Sequence, residues 1–460
     1  MKNPLLAPEL REFIRKNDIE GLRSFCAESH PAIIAEFLEA LSAAEAWRIL
    51  FNLQPELRAE IFSHLEEWQQ MEIADMLNRE ELAQLLSDMA PDDRVNLFKN
   101  LPENRQETIL WAMAKAERED IRRLSSYAEG TAGAVMTSDY AVLSPNLTAE
   151  EAIDKLRHEA PDKETIYYAY VLDEDRHLMG FVSLKDLILA APQTKITKIM
   201  HRDMVFSRAS DDQESAARKI QKYDLIAIPV VNEKNVLVGI ITHDDALDII
   251  TQEQTEDMEK LMAIGGEHEV GVYLHTSAWV HFKNRCGWII VLAGLGLISG
   301  FIVQSFEGLL LQFAVLATFM PMLADTGGNT GSQSSTLVVR ALAMQEISPK
   351  DVFRVLKKEL KVALLLGFIL AILAYGRVVL LAGRTNLPVG YSVSSIGIAI
   401  AMALALQVIT ATLIGALLPL AAVKLKFDPA VVASPALTTI VDITGLFIYF
   451  ATAKIVLGIG

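Results

Sequence analysis

Two cysteines, Cys26 and Cys286, are all that 460 residues contain. They lie far apart, so the chain has neither a disulfide framework nor a thiolate metal site, and it suits a reducing cytoplasm. No G-x-x-x-x-G-K-[ST] loop occurs, which removes a P-loop ATPase from consideration. The start, MKNPLLAPELREFIRKND, has no apolar core of signal-peptide length, so the segments after it are expected to stay on the side where they are made. Positive charge is also scarce: the net charge is −16. An acidic surface repels nucleic acid and attracts cations, so no nucleic-acid partner is expected. No histidine–carboxylate or nucleophile constellation stands out, and the nine histidines scatter between His30 and His281. Catalysis is not expected.

What the chain does have is apolar residues, 51% of the total, and they are divided unevenly. From Cys286 onward there are 11 Lys+Arg and 7 Asp+Glu, a net of +4. Residues 1–285 hold the remaining 31 basic and 51 acidic residues, a net of −20. A strongly acidic half therefore precedes an apolar, slightly basic half. The length alone implies two or more domains.

Residues 8–129 read as successive helices, with apolar residues three and four apart, as in Leu82, Leu85, Leu86 and Met89. Pro55-Glu-Leu-Arg with Ile61, Phe62 and Leu65 matches Pro91-Asp-Asp-Arg with Leu97, Phe98 and Leu101 at an offset of 36, a helical-repeat spacing. Proline suits the first helical turn, and Asp92 and Asp93 beside it complement the positive helix end. After Gly130 the period changes. Short β-branched runs alternate with amphipathic helices in two similar halves, the motif Gly180–Asp186 recurring at Gly239–Asp245. This resembles a tandem pair of CBS modules. Such pairs bind adenine nucleotides, which makes ATP a candidate ligand and Asp186 a candidate ribose contact. The alternative for Asp186 is capping of the helix that follows, and for Asp245 capping or cation binding.

A helical run from Asp244 to Lys260 then carries Asp244, Asp245, Asp248, Glu253, Glu256 and Asp257. Carboxylates three and four apart repel unless neutralised, and oxygen-loving Mg²⁺ would do so; a solvated acidic face is the plain alternative. Five candidate spans follow, near 287–305, 309–338, 362–383, 392–421 and 430–457. Lysine and arginine collect before span one and after spans two and four, which puts the N-terminus inside and the C-terminus outside. Span two turns polar and glycine-rich through Asp325, Thr326, Gly327, Gly328 and Asn329, with Pro321 expected to kink it. Span five carries Asp442 in its middle, with Thr438, Thr439 and Gly445 on roughly the same face. A carboxylate at a helix centre costs about 2.5–3.5 kcal/mol on insertion scales and by default marks an ion path, against the alternative of a polar packing contact.

The segments PMLADTGGNTGSQSSTLVVRALA and DPAVVASPALTTIVDITGLFIYF resemble the signature spans of the MgtE family of magnesium channels, and the domain order is similar throughout. The resemblance implies a multi-domain membrane protein. An all-α helical-repeat N domain (1–130) would be followed by an α/β tandem CBS domain (131–250). An acidic plug helix (244–280) would lead to a five-helix transmembrane domain (281–460). It further implies a homodimer in the plasma membrane with one central pore and Asp442 as the pore carboxylate. Cytosolic Mg²⁺ held by Asp93, Asp244, Asp245, Asp248, Glu253, Glu256 and Asp257 would close that pore. A broader divalent channel for Co²⁺, Ni²⁺ or Mn²⁺, and a nucleotide-sensing membrane regulator without transport, are the alternatives.

Overall fold

The structure, a computed structural model, describes residues 7–266, 273, 276–344, 346–380, 390–432 and 435–459. It separates into two compact units, and the division falls after Glu253, inside one continuous helix, His243–Leu261.

The first unit opens with ten short helices, from Ala7–Lys16 to Lys115–Leu124. Local signals start them. Pro31, Pro55 and Pro91 each occupy a first turn, and Ser42 with Glu45 and Asn78 with Glu81 form capping boxes. From Pro31–Leu38 to Lys115–Leu124, each helix packs on the next but one, giving two rows. The 36-residue offset reaches deeper than the apolar pattern. Gln69 donates to Leu38 O at 2.9 Å, and Arg105 donates to Ala74 O, also at 2.9 Å. Gln70 donates to the carbonyls of Ser63 and Leu65, and Gln106 to those of Lys99 and Leu101. Equivalent long side chains thus satisfy equivalent orphan carbonyls at helix ends. Arg94, 8% exposed, does the same for Leu86, Ser87 and Met89.

Two three-stranded sheets follow. The first holds β1 (Tyr140–Leu143), β2 (Thr165–Leu172) and β3 (Leu178–Ser183); the second holds β4 (Ser207–Arg208), β5 (Ala227–Val231) and β6 (Leu237–Thr242). In each, the first pair is parallel and the second antiparallel. The halves exchange edges. Thr137, ahead of the first sheet, bridges Ile240 in the second, and His201, ahead of the second, bridges Phe181 in the first. The repeated glycines permit these crossings. A Cβ on Gly239 would lie 2.7 Å from Thr137 O, and one on Gly180 would lie 2.4 Å from His201 O.

The second unit is helical. Among the described residues, four helices are long and apolar enough to cross a membrane: Ala278–Ser305, Pro349–Leu380, Val393–Lys424 and Ala436–Val456. The second expected span is not one apolar rod. It is built of Glu307–Gln312, Ala314–Ala317 and the glycine-rich helix Met320–Ala343. Breaks fall at Phe313 and at Thr318–Phe319, where bulky side chains fill the core beside Tyr449 and Phe450. Pro321 sits in the first turn of Met320–Ala343, where a missing N–H costs nothing, and so starts a helix rather than kinking one. Tyr449 Oη donates to Leu316 O at 2.9 Å and Arg377 lies 4.4 Å over the Phe319 ring, tying the broken segment to its neighbours.

Replacing Arg94 by alanine strands three carbonyls at buried helix ends. The N-terminal helical domain is expected to lose about 2–3 kcal/mol. Denaturant midpoints should show this loss, while Arg122→Ala, on an exposed surface, leaves the midpoint unchanged.

Candidate pore and cation-sensing sites

In the membrane unit the glycine-rich helix packs against Pro435–Val456. Cβ atoms built on its glycines report the register. Gly331 meets Leu437 and Val441 at 3.6 and 3.5 Å, Gly328 meets Thr438 at 3.5 Å, and Gly327 meets Val441 at 3.1 Å. The two helices are antiparallel: Gly328 is level with Thr438, and Asp442, directly after Val441, comes level with Asp325–Gly327. The Asp442 side chain is half-buried, and its buried Oδ1 has no hydrogen-bond partner among the described residues. An ionised oxygen held dry without a donor is costly, and a cation or its water shell would complete it. Asp325 and Asn329 are exposed on the glycine-rich helix, with Asn329 Nδ2 donating to Asp325 Oδ1 at 3.1 Å. The Thr326 hydroxyl donates to Met322 O of its own helix, so its oxygen faces any ligand as an acceptor. Thr438 and Thr439 are both partly buried.

Gly445 shares the Asp442 face in the sequence reading, but the structure turns it onto Gln407 of Val393–Lys424, and Gly327 meets the same side chain. Sequence reasoning passed over Gln407. Its signal was a single amide in the apolar run ALALQVITATL.

A second site lies in the first unit. Asp92 and Asp93 open the helix Pro91–Asn100, Asp244, Asp245 and Asp248 open His243–Leu261, and Glu164 precedes β2. Burial raises the Asp92 and Asp93 carboxyls; Asp93 and Asp245 add to the shift at Asp92, and Asp244 adds at Asp93. Burial, with Asp245 and Asp244 nearby, pushes Glu164 up to about 7, and burial pushes Asp245 to about 6 despite its bond from Thr242. Asp248 is raised by burial and by Asp244. Asp92 Oδ1 is buried without a partner among the described residues. Glu164 was missed from sequence, since nothing local distinguishes it.

The other expected ligands lie elsewhere. Glu253 accepts from Gln213 Nε2 at 2.7 Å, and Glu256 pairs with Lys260, which also reaches Asp428 at 3.1 Å. Asp257 is partly buried. Among the described residues no three acidic, histidine or cysteine side chains converge to hold a bare metal ion. A hydrated Mg²⁺, bound through its waters, requires no such convergence. Asp186 accepts from the Ser183 hydroxyl and N–H, completing a capping box, and also contacts His201 Nε2 at 3.0 Å. Asp245 repeats the arrangement with Thr242.

Comparison with known proteins settles the family. Over 98% of both chains, the sequence is 36% identical to "Magnesium transporter MgtE" of Thermus thermophilus. The chain belongs to the MgtE family. The protein of the same name in Bacillus subtilis is 33% identical over 96% of this chain and 95% of that one. The family model for the MgtE intracellular N domain matches residues 29–130, CBS models match 132–192 and 196–252, and the MgtE model, "Divalent cation transporter", matches 320–452. Two solved structures resemble about half of this chain. One is the soluble part of a magnesium transporter, with TM-score 0.52 and 30% identity over 54% of this chain and 97% of that one. The other is the cytosolic domain of the Mg²⁺ channel MgtE in complex with ATP, with TM-score 0.50 and 35% identity over 53% of this chain and 100% of that one.

The raised carboxyls fix the sign of a pH effect. An acid whose folded pKa is raised stabilises the fold below its ordinary value, near 4, and loses that contribution as pH rises. Here the loss runs through about 6 for Asp245 and about 7 for Glu164. Without divalent ions, the melting temperature of the soluble half should rise as pH falls from about 8 to about 5.5. Added Mg²⁺ should raise it more at the higher pH. An equal Mg²⁺ response at both ends would contradict the cluster.

Proposed function

We propose that this chain forms a Mg²⁺ channel in the plasma membrane, as a homodimer whose two Asp442 side chains flank one axial pore. The observation that carries the reading is the buried Asp442 oxygen, unpartnered among the described residues, on an apolar helix long enough to span a bilayer. Two facing carboxylates suit an ion that keeps its water, because they bind through that water and leave room for release. Asp325, Thr326 and Asn329 supply further oxygens along the path, and Gly327, Gly328 and Gly445 let the helices approach. The relatives named magnesium transporters support the choice of ion. The wording "Divalent cation transporter" keeps Co²⁺, Ni²⁺ and Mn²⁺ as a second reading, and the absence of histidine or cysteine from the two polar spans favours hard Mg²⁺ over these.

The gate is cytosolic. Residues 1–130, the CBS pair over 131–250 and the acidic helix within 244–280 form the sensor, and residues 281–460 form the pore. Mg²⁺ neutralises Asp93, Asp244, Asp245 and Asp248, draws the acidic faces together and closes the pore; at low Mg²⁺ their repulsion opens it. Glu253, Glu256 and Asp257 lie farther along the same helix, with Glu253 bonded to Gln213 and Glu256 paired with Lys260. ATP occupies the CBS pair, with Asp186 a contact for its ribose; the related cytosolic domain solved in complex with ATP supports ATP as a ligand. Five crossings, counting the broken second one, leave the N-terminal domains in the cytoplasm and the C-terminus outside, as the Lys/Arg distribution favours. Membrane lipid surrounds the pore. No covalent chemistry is required of any residue.

Mg²⁺ influx into proteoliposomes tests the pore. Asp442→Asn should reduce it at least about tenfold; equal influx would remove Asp442 from the path. Patch recording tests the gate. With Asp93, Asp244 and Asp248 changed to asparagine, closure by internal Mg²⁺ should weaken by about tenfold or more in concentration. Unaltered closure would exclude these carboxylates from sensing.

A further inference from the structure

We propose that Gln407 is a positioning residue for permeation: its carboxamide wedges between the glycine-rich helix and the Asp442 helix and sets which ion passes. This rests on the channel reading above.

Gln407 is 1% exposed in the middle of Val393–Lys424. Its Nε2 donates to Leu323 O at 2.8 Å, a carbonyl that also accepts from the Thr326 hydroxyl at 3.3 Å. Its Oε1 is buried and has no partner among the described residues. A leucine would fill a comparable volume without the cost of an unsatisfied amide, so packing alone does not account for the residue. An acceptor held this way is suited to anchor a buried water.

The surroundings are fitted to the amide. A Cβ on Gly327 would lie 2.1 Å from Nε2, and one on Gly445 would lie 2.5 Å from it. The two helices therefore close on Gln407 only because each presents a glycine there. Farther along, the backbones of Gly331 and Gly415 touch, a Cβ on Gly415 falling 2.2 Å from Gly331 O. The glycine-rich helix is thus fixed against Val393–Lys424 at two points, one backbone-to-backbone and one through the amide. Val441, which meets Gly327, directly precedes Asp442, and Gly445 follows Asp442 by three residues. The size and bonding of residue 407 thereby set where the Asp442 carboxylate stands. A constriction sized for hydrated Mg²⁺ discriminates against Ca²⁺, which sheds water readily and accepts flexible ligand shells. A shift of this wedge alters that discrimination.

The test uses the full chain in proteoliposomes, with Mg²⁺ and Ca²⁺ influx measured separately. Gln407→Leu is expected to assemble with a wild-type melting temperature, to lower the Mg²⁺/Ca²⁺ influx ratio by about tenfold, and to change the half-saturating Mg²⁺ concentration. Gln407→Asn, which keeps the amide, should recover part of the ratio. Gly445→Ala should abolish Mg²⁺ influx, and adding Gln407→Ala should restore much of it, because the two side chains compete for one space. A Gln407→Leu channel with wild-type ratio and half-saturation overturns the proposal, as does a Gly445→Ala, Gln407→Ala pair whose effects merely multiply. If Gln407→Leu fails to assemble, that pair decides alone. A wild-type chain without Mg²⁺ influx overturns the channel reading itself, and this proposal with it.

Discussion

Uncompensated carboxylate charge is the constraint on which this molecule depends. In the cytosolic unit, acidic side chains from two helices and one strand approach are buried near enough to raise one another's proton affinity. In the membrane unit, Asp442 keeps a buried oxygen without a donor among the described residues. Among the described residues, none of these carboxylates forms an ion pair with arginine or lysine. The one lysine that bridges acidic residues of the connecting helix and the membrane unit, Lys260, is committed to Glu256 and Asp428. A protein that built such sites for stability alone would have paired them, since an unpaired buried charge costs more than a paired one contributes. The deficit favours positive charge at both locations.

Holding a carboxylate in a membrane requires the helices around it to come close. Here small residues do this. Gly331 and Gly415 permit backbone contact, and Gly327 and Gly445 accommodate an amide. In lipid the hydrophobic effect contributes nothing to helix pairing, so contact distance and a few polar bonds decide geometry. That is why a methyl group in this region matters more than it would on the Ala278–Ser305 helix, which buries no residue.

Much of this was legible in the sequence, because much of it is local or periodic. Caps, the 36-residue repeat, the duplicated Gly–Asp motif and the placement of a carboxylate in an apolar run can all be read along the chain. What could not be read depends on separation. Glu164 joins Asp93 and Asp245 only through folding. Gln407 became significant only once two glycines, 80 and 38 residues away, were placed against it. The break in the second span was hidden by averaging, since Phe313 and Phe319 keep the run apolar while their side chains serve a core that interrupts the helix. Glu256 was placed among the sensing residues although Lys260, one turn on, gives it a partner. Asp186 and Asp245 were assigned to helix caps or ligands; the structure adds that Ser183 is the cap with Asp186 its reciprocal partner, and that Asp245 accepts from Thr242.

The exchanged edges of the two CBS sheets carry a historical implication. Thr137 belongs to the first copy by sequence but borders the second copy's sheet, and His201 does the reverse. Once a duplicated ancestor folded this way, neither copy could be lost or moved to another gene without leaving an open strand edge on the survivor. The glycines at 180 and 239 record that commitment, since each is small for the sake of the other half. The pair is therefore inherited as one indivisible part, and variation within the family is expected to fall at its outer loops rather than at the seam.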